Sequence, residues 1–322
     1  MSGLIRAALR GTGSAVPKRL VTNGDFSATL DTNDEWIRTR TGIRERHYAG
    51  PGETAATLGA EASRRALAAS GLLPSDVDLI VCATITPDMV CPSTACLIHG
   101  ELGCGPIPAF DVTAACSGFV YAIGVAEQFI KTGASKAALV IGTDVLTRGV
   151  DQTDRNTCIL FGDAAGAAVL VPTTDPNCGV HKTRLFADGT RHELIQIPSR
   201  VTPNPNITHL RMNGREVFKF AVTQFINLVQ QGQADCQELE KELVLIVPHQ
   251  VNIRIIDSAL DTLKMPAEKV MTNLDRYGNT SAASIPLALD EAIRTGRAKS
   301  GDTILLVAFG GGLTWSSTLI TL

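Results

Sequence analysis

Two continuous aliphatic runs, each opened by an acidic residue and set 166 positions apart, constrain this chain more than any other feature. They are Asp76–Cys82 and Glu242–Pro248. A run of that length without polar alternation is a strand buried on both faces, as in a parallel sheet covered by helices. A second pair follows in the same order at nearly the same interval. Ile130–Gly133 and then Ala137–Gly142 parallel Ile293–Gly296 and then Thr303–Gly310, each a helix closed by glycine followed by a buried strand, 163 positions apart. A small-residue turn precedes each helix, Thr113–Gly118 in the first half and Gly278–Ala283 in the second, and the 163 interval carries Cys116 onto Asn279. The glycine turn and strand of Phe161–Val171 has its counterpart in Gly310–Ile320. The pattern predicts an α/β protein made of two similar halves, 1–172 and 173–322, meeting near Pro172, with mainly parallel sheets.

Composition narrows what such a protein does. Hydrophobic residues make up 44% and aromatic ones 5%, so the predicted core is aliphatic. The 29 Lys and Arg against 32 Asp and Glu leave a net charge of −3, too near neutrality for binding nucleic acid or a membrane surface by overall charge. No apolar run approaches the ~20 residues of a membrane span. Arg6 and Arg10 interrupt the first apolar stretch, which therefore does not read as a signal peptide. Eight cysteines without a disulfide-framework spacing fit a reducing cytoplasm. Cys91, Cys96 and Cys104 contain no CxxC pair, so no metal is expected.

Ligands of α/β proteins usually bind where strands end and helices begin. Cys116 follows the short apolar strand Ala109–Val112, where the helix Gly118 to Lys131 should start. The positive end of that helix would lower the thiol pKa from ~8.5 towards ~7. An inert core thiol is the ordinary role of a cysteine, as a structural role is of a lone His and a turn role of an Asn beside Gly. His249 follows the strand Leu243–Val247, and Asn279 lies in the turn matched to the Cys116 loop. Joint placement on a two-fold repeat singles the three out, and geometry has to decide whether they meet.

Seven short segments together resemble the β-ketoacyl-acyl carrier protein synthase III family of the thiolase superfamily. They are Asp31–Ile43, Ala114–Gly118, Asp154–Arg155, Phe161–Ala164, Val247–Gln250, Gly278–Ala282 and Ala308–Gly312, in the family's order along essentially the whole chain. The resemblance implies a homodimer of five-layered αβαβα subunits that needs no cofactor. It implies a decarboxylative Claisen condensation of an acyl-coenzyme A primer with malonyl-acyl carrier protein, the initiating step of fatty acid synthesis. Cys116 would attack the primer thioester, and the N–H groups of Cys116 and Gly311 would hold the oxyanion. His249 and Asn279 would donate to the malonyl thioester oxygen, with Phe309 shielding the site.

By the same resemblance, Trp36 and Arg155 would sandwich the coenzyme A adenine, a stacking both side chains suit. Arg40 would meet the nucleotide phosphates and Thr32 the adenine, while Gly214, Phe218 and Asn252 would line the pantetheine channel. Cys91 stands where acetyl-selective members carry a Phe that caps the acyl pocket across the dimer, so a deeper pocket is expected. Lys219 and Arg254 would attract the acidic carrier protein, although Asp261 and Thr262 replace two lysines of some members. Asn156 and Ser316 replace common glycines.

Three other readings compete. A secondary-metabolism condensing enzyme or acyltransferase would use the same Cys-His-Asn set. Gly11-Thr-Gly13 suggests a nucleotide-binding dehydrogenase but lacks the third glycine. A papain-like protease would need a different sequence around its nucleophile.

Overall fold

The aliphatic runs become strands of two separate sheets in the computed structural model, which describes residues 4–199, 201 and 204–322. The first sheet has the spatial order Arg6–Ala15, Ala164–Thr173, Ala138–Asp144, Leu79–Ala83, Ala109–Val112. The second runs Leu243–Pro248, Thr303–Gly310, Thr314–Thr321, Gly179–Ala187.

Side chains alternate across a strand, so the two faces of each sheet feed different cores. Leu79, Val81 and Ala83 join Leu245, Val247 and Leu306 around two central helices, Gly118–Lys131 and Ser284–Arg294. Ile80 and Cys82 point the other way, into the helices Ala55–Ser70 and Thr94–Leu102. Ile246, Leu305 and Val307 pack outward against Gly214–Glu238 and Ile253–Leu263. Helix, sheet, helix, sheet and helix thus stack as five layers, the thiolase-like arrangement that the resemblance implies.

The helix ends follow local chemistry. Thr54 and Thr57 form a capping box at the start of Ala55–Ser70, and the side chain of Ser93 accepts from Cys96 N–H at the start of Thr94–Leu102. The central helices stop at Thr132 and Thr295, each followed by a glycine with positive φ, Gly133 and Gly296.

Two sequence expectations need correction. The sheets are mixed rather than mainly parallel. Leu79–Ala83 runs parallel to both Ala109–Val112 and Ala138–Asp144, and Leu243–Pro248 parallel to Thr303–Gly310, but the other pairs are antiparallel. Only three residues join Thr303–Gly310 to Thr314–Thr321, too few for the crossover a parallel neighbour needs. The repeat also has a different register at its key loops. Ala115 and Ser281 share the same positive φ, +46° and +51°, and lie 166 positions apart, so Cys116 matches Ala282 rather than Asn279. The interval falls to 163 because the first central helix has 14 residues and the second 11.

Gly11 and Gly13, the two glycines that suggested a nucleotide loop, lie inside the strand Arg6–Ala15. A Cβ on Gly11 would sit 2.5 Å from Ser70 N and 2.6 Å from Ala66 O, and one on Gly13 would strike the same helix. They allow a helix to lie directly on a strand. Gly11→Ala is expected to destabilise the fold by about 1–3 kcal/mol, read as a lower denaturation midpoint at unchanged slope. A parent-like midpoint would contradict this packing role.

Candidate active site

After the strand Ala109–Val112 the chain turns through Ala115, whose left-handed backbone is costly for a residue with a Cβ, and a short 3₁₀ turn, Ala115–Ser117, presents Cys116 at the start of the first central helix. The end of the strand Thr303–Gly310 presses on this turn. A Cβ on Gly310 would lie 2.7 Å from Cys116 N, so only glycine permits the approach.

His249 follows the strand Leu243–Pro248, and its N–H is bonded to Val307 O at 2.7 Å. Its ring packs edge-on against Phe309, centroids 5.7 Å apart, and among the described residues neither ring nitrogen has a hydrogen-bond partner. Gln250 fixes the loop behind it. That side chain donates to Pro248 O and Met271 O and accepts from Asn273 N–H, while Gln250 N–H donates to Ser284 Oγ. Asn279 is held by its backbone, donating to Leu160 O and accepting from Gly162 N–H. Its Oδ1 accepts from Ser281 N–H at 2.9 Å. The carbonyl end of the amide is therefore occupied, and the N–H₂ end is the one available as a donor.

Cys116, His249, Asn279, Phe309 and Gly311 all line one cavity of about 860 Å³. Its remaining wall is largely apolar, including Ile85, Leu146, Ile195, Met212, Val217 and Phe220. A deep apolar chamber with a few convergent polar groups is the usual form of a small-molecule site.

The electrostatics correct a third expectation. Burial pushes the Cys116 thiol up to about 12, and the nearby Asp144 carboxylate adds to the rise; the Ser281 hydroxyl opposes it. Desolvation of a thiolate enclosed by protein outweighs the helix end. Burial also pushes His249 down to about 3, so its imidazole is neutral and carries one N–H. Asp144 is wholly buried. Its Oδ1 accepts from Thr84 Oγ1, Ile85 N–H, Thr86 N–H and Thr86 Oγ1, and its Oδ2 accepts from Ala282 N–H.

The residues expected to hold coenzyme A lie outside the lining of this cavity, along a strip beside it. The Arg155 guanidinium sits 4.8 Å from the Trp36 ring centre and Arg40 5.6 Å from it. Asn252 Nδ2 donates to Arg40 O at 3.1 Å, and Arg254 lies 5.9 Å from the Phe218 ring. Val217 and Val251, next to Phe218 and Asn252, line the cavity, so the strip ends at its mouth. Trp36 is half-buried, not fully exposed, because its ring also packs on the cluster around Ile37 and Leu146. Among the described residues, Thr32 Oγ1 is buried without a partner and no atom lies within 4 Å of the position a Cβ would take on Gly214.

Cys91 is exposed and does not line the cavity, although Met89 and Val90 of the same loop do. Lys219 pairs with Glu216 at 2.8 Å, and Arg254, Asp261 and Thr262 are exposed. Asn156 folds back on Asp154, both its N–H and Nδ2 reaching Asp154 Oδ1 at 3.0 Å. Ser316 is buried with a hydroxyl that has no partner among the described residues, and nothing in the structure explains it.

Sequence reading missed Asp144, Gln250 and Ser281 as organisers of the site. Gln250 and Ser281 stand inside segments already singled out, so their position was a usable signal. Asp144 carries none, since an acid at a strand end ordinarily faces water.

The raised thiol pKa has a direct consequence. In the ligand-free protein the thiolate fraction is small at neutral pH and grows with pH, so alkylation of Cys116 by iodoacetamide should keep accelerating through and beyond about pH 8.5. A rate that levels off below that point would mean the helix end outweighs burial.

Comparison with known proteins agrees with this architecture. Residues 110–189 match the family described as 3-oxoacyl-[acyl-carrier-protein (ACP)] synthase III, and residues 235–322 match its C-terminal part. The chain is 50% identical to a β-ketoacyl-[acyl-carrier-protein] synthase III of Xylella fastidiosa, covering 99% of each. It is 51% identical to one of Escherichia coli K12, over 96% of this chain and 98% of the relative. The crystal structure of 3-oxoacyl-[acyl-carrier-protein] synthase III from Aquifex aeolicus superposes with a TM-score of 0.91 at 44% identity, over 98% of this chain and 100% of that one. With identity of this order over nearly its full length, the chain belongs to the β-ketoacyl-acyl carrier protein synthase III family of condensing enzymes.

Proposed function

We propose that this β-ketoacyl-acyl carrier protein synthase III uses Cys116 as its nucleophile and His249 and Asn279 as paired donors. The observation that carries the reading is convergence: a thiol at a helix start, a neutral imidazole with both nitrogens free, and an amide whose oxygen is tied back all line one cavity. Cys116 Sγ attacks the thioester carbon of an acyl-coenzyme A primer, and the C–S bond to coenzyme A breaks. The thiol proton ends on the departing thiolate, so the exchange needs no net acid or base. Backbone N–H groups of Cys116 and Gly311 stabilise the intermediate oxyanion.

Malonyl-acyl carrier protein then loses carbon dioxide, and charge builds on its thioester oxygen. The requirement is for donors, not a base. A neutral His249 supplies one N–H and Asn279 another, and burial strengthens both against a developing charge. The resulting carbanion attacks the acyl carbon on Cys116 and expels the Cys116 thiolate, which takes up a proton from solvent to restore the thiol, leaving β-ketoacyl-carrier. Phe309, packed on His249, keeps water from the carbanion.

The strip beside the cavity suits coenzyme A. Trp36 and Arg155 would take the adenine between them, parting from their present stack, with Arg40 on the phosphates and the unpartnered Thr32 hydroxyl facing the base. Gly214, Phe218 and Asn252 would guide pantetheine inward, and Lys219 and Arg254 would meet the acidic carrier protein. Cys91 would reach the cavity of a second copy in a cytoplasmic homodimer, where its small side chain leaves room for a longer primer. The halves 1–172 and 173–322 are read as the units of one duplication; the chain crosses between sheets just after Thr173.

Separating the half-reactions tests the roles. Cys116→Ser should form no acyl-enzyme. His249→Ala and Asn279→Ala should acylate at near-parent rates yet release carbon dioxide from malonyl-carrier about 10²–10³-fold more slowly, the cost of one lost donor. Parent-rate release by both would contradict the donor roles.

A further inference from the structure

Arg46 is the largest wholly buried side chain, and no carboxylate lies within ion-pair distance of it among the described residues. Its guanidinium reaches two separate parts of the chain. On one side Nη1 donates to Asn23 Oδ1 at 2.8 Å, with a longer contact to Val21 O at 3.5 Å; on the other Nη2 donates to Ile159 O at 2.5 Å. Phe26 packs on its face at 4.8 Å. Burial lowers its pKa only to about 10, so it is charged at neutral pH.

Each partner leads to one side of the Trp36–Arg155 pair. Asn23 Nδ2 donates to Asp34 Oδ1 and to Ile43 O, both at 2.8 Å, gripping the helix Asp34–Thr41 at its start and just past its end. That helix carries Trp36 and Arg40. Ile159 belongs to the turn that carries Arg155, where Cys158 N–H donates to Asp154 O at 3.0 Å and Thr157 Oγ1 to Asp154 Oδ2 at 2.8 Å. The same turn receives Tyr48 OH on Cys158 O at 3.3 Å.

We propose that Arg46 is the positioning residue of the coenzyme A clamp, setting the spacing between the Trp36 helix and the Arg155 turn. The inference rests on the reading of those two residues as the adenine clamp. A charge with no carboxylate in direct contact is costly in a core, and a well-packed apolar side chain would often serve stability as well. A guanidinium at this place does what an apolar group cannot, binding oxygens on two segments at once from one rigid plane. Lysine, a point charge on a flexible stem, cannot hold both directions.

The test compares acylation of Cys116 by acetyl-coenzyme A and by acetyl-pantetheine, which lacks the nucleotide. Arg46→Lys should raise KM for acetyl-coenzyme A by about tenfold or more while kcat/KM for acetyl-pantetheine stays within about twofold of the parent. Equal losses on both substrates would reduce Arg46 to general support, and no change on either would remove it from the clamp; both overturn the proposal. Should Arg46→Lys fail to fold, Asn23→Ala, which cuts the same bridge on one side, is held to the same split and overturns the proposal if it lacks it. Trp36→Ala separates the two levels. If that variant keeps the parent preference for acetyl-coenzyme A, the clamp itself is wrong and this inference falls with it. If it loses the preference and the bridge variants do not, the clamp stands and the role of Arg46 is wrong.

Discussion

The seam between the two halves turns on one buried carboxylate. Asp144 ends a central strand of the first sheet and, with no ion-pair partner among the described residues, is satisfied by hydrogen bonds, four to Oδ1 from Thr84–Thr86 and one to Oδ2 from Ala282 N–H. The first group belongs to a loop that lines the cavity, the second to the turn beyond Asn279 and Ser281. A buried carboxylate deprived of such partners would carry a large desolvation penalty. The turn that delivers the Asn279 amide is therefore held against the Thr84–Thr86 wall of the cavity, because that contact is what keeps Asp144 bonded.

Around that anchor the site is built from groups that are neutral at working pH. Burial holds the Cys116 thiol protonated and the His249 imidazole unprotonated. An enzyme that relied on a cysteine-imidazolium pair would need the opposite shifts. A decarboxylating condensation instead needs donors that do not give up their protons, and a dry, largely apolar chamber in which they act on a developing oxyanion. On the strip outside the cavity, Arg40, Arg155 and Arg254 lie over aromatic rings.

How much was legible in the sequence follows from which interactions are local. A run such as Leu79–Ala83 announces burial by itself, and small residues from Ala114 to Gly118 announce a tight helix start, so the strands, the central helix and the positions of Cys116 and His249 could be read directly. Direction of pairing could not, because Thr314–Thr321 looks the same whether it returns antiparallel or crosses over. The interval of 163 was real at the helix ends and wrong at the loops, where a three-residue difference in helix length hides. Asp144 and Arg46 were invisible for a different reason. A charged residue carries no local mark of burial, since its partners come from segments far along the chain, as Ile159 does for Arg46 and Ala282 for Asp144.

The central claim is that the enclosed thiol of Cys116 carries the acyl group. Incubating the protein with acyl-coenzyme A thioesters from acetyl to long-chain, then measuring intact mass and peptide masses, tests it most directly. The account expects one acyl adduct per chain, located on the peptide that contains Cys116. An adduct on any other cysteine, or no adduct from any thioester, would contradict it.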